Sequence, residues 1–207
     1  MSASKKKQFE RLLLERLTPI LSDDGFVGND LKWIRNVDPV INCIEVQSRS
    51  DSKACCVNLG VHLTFLPNAT GSLIVDIQSY SSVDCEIRGR LTSQAEGDQW
   101  WEYEMLEPAI DDLIDSYLDH GQNFFERFAK FPHPFVDIGP DSLDDDVVSS
   151  LFPVMTKVRM VLLLARVHDF LGNSALAKQF GQIGIDLIGG GMGPKAAFRK
   201  ILRSHTT

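Results

Sequence analysis

Ala54-Cys55-Cys56-Val57-Asn58-Leu59-Gly60-Val61-His62-Leu63-Thr64-Phe65 alternates between two kinds of residue along its whole length. Cys55, Val57, Leu59, Val61, Leu63 and Phe65 fall on one side. Cys56, Asn58, Gly60, His62 and Thr64 fall on the other, with the period of two that an extended strand imposes. Alternation this regular predicts an antiparallel strand with one face packed and the other wetter.

The neighbouring stretches extend the same pattern. Leu31 to Val37 and Val40 to Ser48 read as two strands joined by a turn at Asp38-Pro39, and Arg49 to Lys53 is a polar turn. Leu73 to Ile77 adds a short piece. In Cys85-Glu86-Ile87-Arg88-Gly89-Arg90-Leu91, the residues Cys85, Ile87, Gly89 and Leu91 face one way, and Glu86, Arg88 and Arg90 the other. Asp98-Gln99-Trp100-Trp101 follows, and there the strands stop.

On both flanks the period changes to that of a helix. Residues 4–21 bring Phe9, Leu12, Leu13, Leu17, Ile20 and Leu21 onto one side, with Gly25 as the stop. Leu106 to Phe131 repeats the pattern with an interruption near Gly121, and Pro132 and Pro134 end it. Three further helices are expected at about 147–171, 173–188 and 194–204, Asn173 serving as an N-cap. Leu163 to Leu187 resembles one helical hairpin of the tetratricopeptide kind, which alone is too little for a solenoid. The expected architecture is α+β: an N-terminal helix, an antiparallel sheet of four to five strands, and a helical C-terminal half packed on the sheet. Residues 1–131 form the α+β domain, 132–146 a Pro-, Gly- and Asp-rich linker, and 147–207 a helical subdomain.

Composition narrows the function classes. The chain has 207 residues with a formal net charge of −7, which argues against a broad nucleic-acid surface. A chain this long buries about 70% of the surface its unfolded form exposes, so it needs no metal or disulfide to fold. The longest apolar run, Val158 to Val167, is broken by Arg159 and Arg166, so no membrane span is expected. Residues 1–10 are polar and basic, and the expected setting is cytoplasmic with reduced, buried thiols at Cys43, Cys55, Cys56 and Cys85. The sequon Asn68-Ala69-Thr70 is read as coincidental.

Several motifs fall short of the chemistry they suggest. Asp111-Asp112-Leu113-Ile114-Asp115 spells the D-D-x-x-D of diphosphate-binding synthases, but a second acidic motif is missing, and a solvated acidic face is expected. Gly189 to Lys195 lacks the preceding strand and the hydroxyl residue of a phosphate loop. The aspartates of 141–146 lack the glycine and glutamate of a calcium loop. No catalytic set, metal site or cofactor is expected.

The remaining candidates lie on the polar sheet face. If the strands at 40–48, 54–65 and 84–91 pair, Glu45, Gln47, Asn58, His62, Glu86, Arg88 and Arg90 share one surface beside Trp100 and Trp101. Arginine's planar fork takes carboxylate or phosphate in a bidentate way, and tryptophan with arginine is common where proteins meet. The competing reading is structural: Glu45 and Glu86 offset Arg88 and Arg90 across the strands. One of two adjacent tryptophans is expected at the surface or over a sheet edge.

Taken in order, Trp33-Ile34-Arg35, Val57-Asn58-Leu59-Gly60-Val61, Cys85-Glu86-Ile87-Arg88-Gly89-Arg90-Leu91 and Asp98-Gln99-Trp100-Trp101 resemble the domain of unknown function 4304 family over about residues 6–128. The resemblance implies the fold and a bacterial cytoplasmic setting, and no activity. In the family pattern a histidine usually follows the cysteine, where this chain has Glu86. The expected function is a non-enzymatic binding or adaptor role, the polar face and its tryptophan rim meeting a protein partner or small anionic ligand. The alternative is an enzyme on a phosphate- or carboxylate-bearing molecule, Arg88 and Arg90 clamping the anion and His62 or Glu45 carrying the proton. The oligomeric state is left open.

Overall fold

The structure is a computed structural model that describes residues 2–67, 72–73, 76–93 and 98–204. The chain divides into two compact units, residues 1–129 and 130–207.

The first unit opens with α1 (Ser2–Asp23). Phe9, Leu13, Leu17 and Leu21 recur every fourth residue and are fully buried, the stripe a helix lays against a core. The helix ends where Gly25 takes φ +82°. There the Gly25 N–H donates to Ser22 O and the Phe26 N–H to Leu21 O, the pairing of a Schellman turn that only a residue free of Cβ strain closes easily.

Six antiparallel strands follow: β1 (Val27–Asn29), β2 (Lys32–Val37), β3 (Val40–Ser48), β4 (Ala54–Leu63), β5 (Ile87–Arg90) and β6 (Trp101–Glu102). They lie in the order β1-β2-β3-β4-β5, with β6 also paired to β4. Two of the six, β1 and β6, were not among the four or five expected. β1 is three residues long with every residue exposed, so no alternation marks it. β6 covers two residues and is held by pairing to Ala54 and Cys55, which local sequence does not encode. The expected piece at Leu73 to Ile77 falls partly outside the described residues, and Ile77–Ser79 is a 3-10 turn. The sequon at 68–70 lies outside them as well.

One sheet face carries Trp33, Ile44, Val57, Leu59, Val61 and Ile87, all buried. Helices α2 (Glu107–Ser116) and α3 (Gln122–Glu126), joined by a π turn at Tyr117–Gly121, belong to the same unit. Gly89 leaves room for Phe124 of α3, which a Cβ there would meet at 3.0 Å. The other face differs from expectation. β4 is buried on both sides, and Asn58 alone of its residues is half-exposed. The reason is a strap, Ile77 to Cys85, which folds over this face and packs Tyr80, Cys85 and Ile77 on Ile34, Ile41 and Cys43.

The second unit holds α4 (Asp146–Leu151), α5 (Lys157–Phe170), α6 (Ser174–Ile188) and α7 (Lys195–Ser204). The single helix expected over 147–171 is two, because Pro153 removes a helical donor and clashes with the preceding turn. Asn173 stands at the N-cap of α6 without a side-chain cap bond. Its Nδ2 lies 3.3 Å from His168 Nδ1 instead. Phe198 of α7 sits against Gly184, where a Cβ would lie 2.1 Å from the ring. Residues 132–146 bury Phe135, Ile138 and Leu143.

Candidate functional site on the outer sheet face

The strand register decides which polar residues meet. Glu45 stands opposite Asn58, and Asn58 opposite Arg90. Gly60 stands opposite both Cys43 and Arg88, and His62 opposite Ile41. Side chains on paired positions share a face, so Glu45, Asn58, His62, Arg88 and Arg90 all lie on the outer face. The strap splits that face into a closed half and an open half.

In the closed half, His62 is 1% exposed. Its Nδ1 accepts from the Glu86 N–H at 3.2 Å, and its Nε2 lies 3.2 Å from Leu66 O. An acceptor at Nδ1 and a carbonyl at Nε2 define the neutral ring with its proton on Nε2. Both nitrogens are engaged, and the ring packs 5.2 Å from that of Tyr80. Glu45 Oε2 accepts from the Ser82 N–H at 3.1 Å and from the Ser82 hydroxyl at 2.6 Å. Glu45 therefore anchors the strap, whereas the sequence suggested it would offset an arginine. Lys32, directly across from Glu45, donates to Gln78 O at 3.2 Å and ties down the same strap.

In the open half, Arg90 Nη1 donates to Asn58 Oδ1 at 2.6 Å and to Gln47 Oε1 at 3.4 Å, and also reaches Cys56 Sγ. Its Nε lies 3.5 Å from Asp98. The offset for Arg90 thus comes from Asp98 and amide groups. Arg49, on the turn after β3, pairs with Asp51 at 2.9 Å and Glu102 at 3.0 Å. The guanidinium groups of Arg49 and Arg90 each lie 5.8 Å from the Trp100 ring, a range in which cation–π attraction contributes about 0.5–1 kcal/mol at exposed sites. Arg88 is half-buried and makes no hydrogen bond or ion pair among the described residues.

The two tryptophans take opposite roles. Trp101 is 2% exposed, and its Nε1–H donates to Asp112 Oδ2 at 2.8 Å. Gln99 Nε2 donates to the same oxygen at 2.7 Å. Trp100 is half-buried on the open half. Asp111, Asp112, Asp115 and Asp119 are all exposed, the solvated acidic face expected, and within it Asp111 forms an ion pair with Arg16 of α1. Sequence reasoning missed Arg49, Ser82 and Asp98 as members of this face. The only signal for Asp98 was its place at a fixed distance before the tryptophans.

No group of His, Cys, Asp and Glu able to hold a metal occurs among the described residues. No helix among them is long and apolar enough to cross a membrane. Burial pushes the Cys55 thiol up to about 12, and Cys56 is raised by burial against the opposing pull of Arg90.

The recurring sequence pieces converge on one place. Asn58 of the N-L-G stretch and Asp98 of the D-x-W-W stretch both hold Arg90, while Gly60 receives the side chain of Cys85. This is an α+β domain whose sheet carries helices on one face and a short strap with an arginine cluster on the other. The family described as Domain of unknown function (DUF4304) matches residues 17–127, and the chain belongs to it. No curated protein and no solved structure matches the chain.

Proposed function

We propose that the protein is a non-enzymatic binding protein that meets a protein partner through the open half of the outer face. Arg88 is the observation that carries this reading: a half-buried guanidinium without a partner among the described residues, two positions from an anchored arginine. A desolvated cation left without a counter-charge costs free energy, which an incoming carboxylate recovers. Trp100, which lies against Arg90 and Arg49 on the same outer face, supplies a rigid apolar surface of the kind that dominates interfaces. The competing enzyme reading needs His62 or Glu45 to carry a proton. His62 has both nitrogens engaged and Glu45 holds the strap, which favours binding over chemistry. A bacterial cytoplasmic setting goes with this reading, and it involves neither nucleic acid nor a membrane.

Affinity capture from native lysate with Arg88→Ala and Trp100→Ala tests it. Each variant keeps the wild-type circular dichroism spectrum and loses the captured partner at least tenfold. Unchanged capture by both folded variants overturns the reading.

A further inference from the structure

Beneath the strap, two thiols from distant parts of the chain meet. Cys43 lies on β3 directly across from Gly60 of β4. A Cβ at Gly60 would stand 2.6 Å from Cys85 Sγ and 2.9 Å from Cys85 Cβ, so the missing side chain is the space that Cys85 occupies. There the Cys85 thiol lies 3.6 Å from Ser81 O, and Cys85 and Cys43, which flank the same glycine, both belong to the buried cluster that also holds Tyr80. All four cysteines are free thiols. Cys55 and Cys56 are neighbours on one strand, so their side chains point to opposite faces and cannot join each other.

We propose that Cys43 and Cys85 form a modification site, which a hydroperoxide converts to an intramolecular disulfide fastening the strap to β3. One thiol loses its proton and attacks the peroxide oxygen, giving a sulfenic acid and releasing water or the alcohol. The second thiol then attacks the sulfenic sulfur, the S–S bond forms, and the sulfenic oxygen leaves as water. The two thiols together supply the two electrons that reduce the peroxide. Cys43 pairs with Gly60 and Cys85 fills the space over Gly60, so the two side chains lie on the same face and can approach without a change of strand register.

Access sets the rate. Cys43 and Cys85 are 0% and 2% exposed. The neighbouring Cys43 thiol and burial hold the Cys85 thiol well above the usual thiol range. The reactive thiolate therefore forms when the strap lifts. The strap is tied by Ser82 to Glu45 and by Gln78 to Lys32, so loosening either tie speeds oxidation. The reaction thus reports strap opening.

The experiment treats the full chain with hydrogen peroxide, alkylates remaining thiols, and maps peptides by mass spectrometry with and without reduction. A reducible peptide pair joining Cys43 to Cys85 is expected, and is lost in Cys43→Ser and in Cys85→Ser. Ser82→Ala removes a hydrogen bond to a carboxylate and speeds the cross-link about tenfold. If Ser82→Ala disturbs the near-ultraviolet circular dichroism, Lys32→Met serves as the second variant, with a smaller acceleration. Three results overturn the proposal: oxidation confined to single cysteines, a cross-link that uses Cys55 or Cys56, or a rate indifferent to the loosened strap.

Discussion

His62 and Asn58 sit four positions apart on the same side of β4, and both are polar residues on a strand that otherwise alternates with apolar ones. Their surroundings could hardly differ more. His62 is roofed by the strap and bonded through both ring nitrogens to backbone groups. Asn58 is half-exposed and passes its side chain to Arg90 and Gln47. The closed half spends its polar groups on itself, holding the strap down with Glu45, Lys32 and His62. On the same face Arg88 makes no hydrogen bond or ion pair among the described residues. A polar residue on a strand therefore says nothing about whether it faces solvent until the covering segment is placed.

The sharpest way to break this comparison is to empty the closed half. His62→Ala leaves the Glu86 N–H and the Leu66 carbonyl without their partner in a dry site. At about 1–3 kcal/mol for each orphaned group, the expected loss is about 3 kcal/mol in urea unfolding. A loss near zero would mean that water reaches these groups and that the half is not closed. Gly60→Ala tests the same region by overfilling it. The added methyl meets Cys85, and overpacking costs about 1–3 kcal/mol, so the unfolding midpoint falls by a comparable free energy. An unchanged midpoint would show that the strap gives way freely.

The adjacent tryptophans repeat the contrast on a smaller scale. Asp112→Ala deprives the buried Trp101 Nε1–H and the Gln99 amide of their shared acceptor. Leaving two donors unpaired is expected to cost about 2 kcal/mol and to shift the tryptophan emission. Asp112→Asn keeps an acceptor oxygen and recovers part of the loss. If Asn behaves as Ala does, the carboxylate charge matters beyond its geometry. Arg88→Ala should have the smallest effect on stability, a gain of no more than about 1 kcal/mol, because it removes a half-buried cation without a counter-charge. A drop of several kilocalories per mole would place Arg88 among the structural residues and collapse the distinction between the halves.

The strands β3 and β4 and the helix α1 were legible from spacing alone. Val40–Ser48 is the strand expected there, and the apolar residues at every second position of β4 have only one sheet register that puts them on the helix side. The shared face of Glu45, His62, Arg88 and Arg90 follows from the same alternation once the strands pair. Of the partners of those residues, Gln47 and Asn58 were legible on the same face, and the others were not. Ser82 and Asp98 lie in irregular segments, and Arg49 reaches the face from a turn, so no periodicity announces them.

What this amino-acid sequence determines by itself is the order of helices and strands, the residues each strand turns to one side, and the meeting of the N-L-G, C-x-I-R-x-R and D-x-W-W stretches in one family. These are local or pairwise facts, encoded in the period of side chains along a single element. The tertiary structure alone decided that Gly60 makes room for Cys85, that Glu45 clasps the strap instead of an arginine, and that Trp101 is buried while Trp100 is not. Each of those depends on which segment closes over the sheet. That is a long-range competition for the same apolar surface, and no window of neighbouring residues contains it.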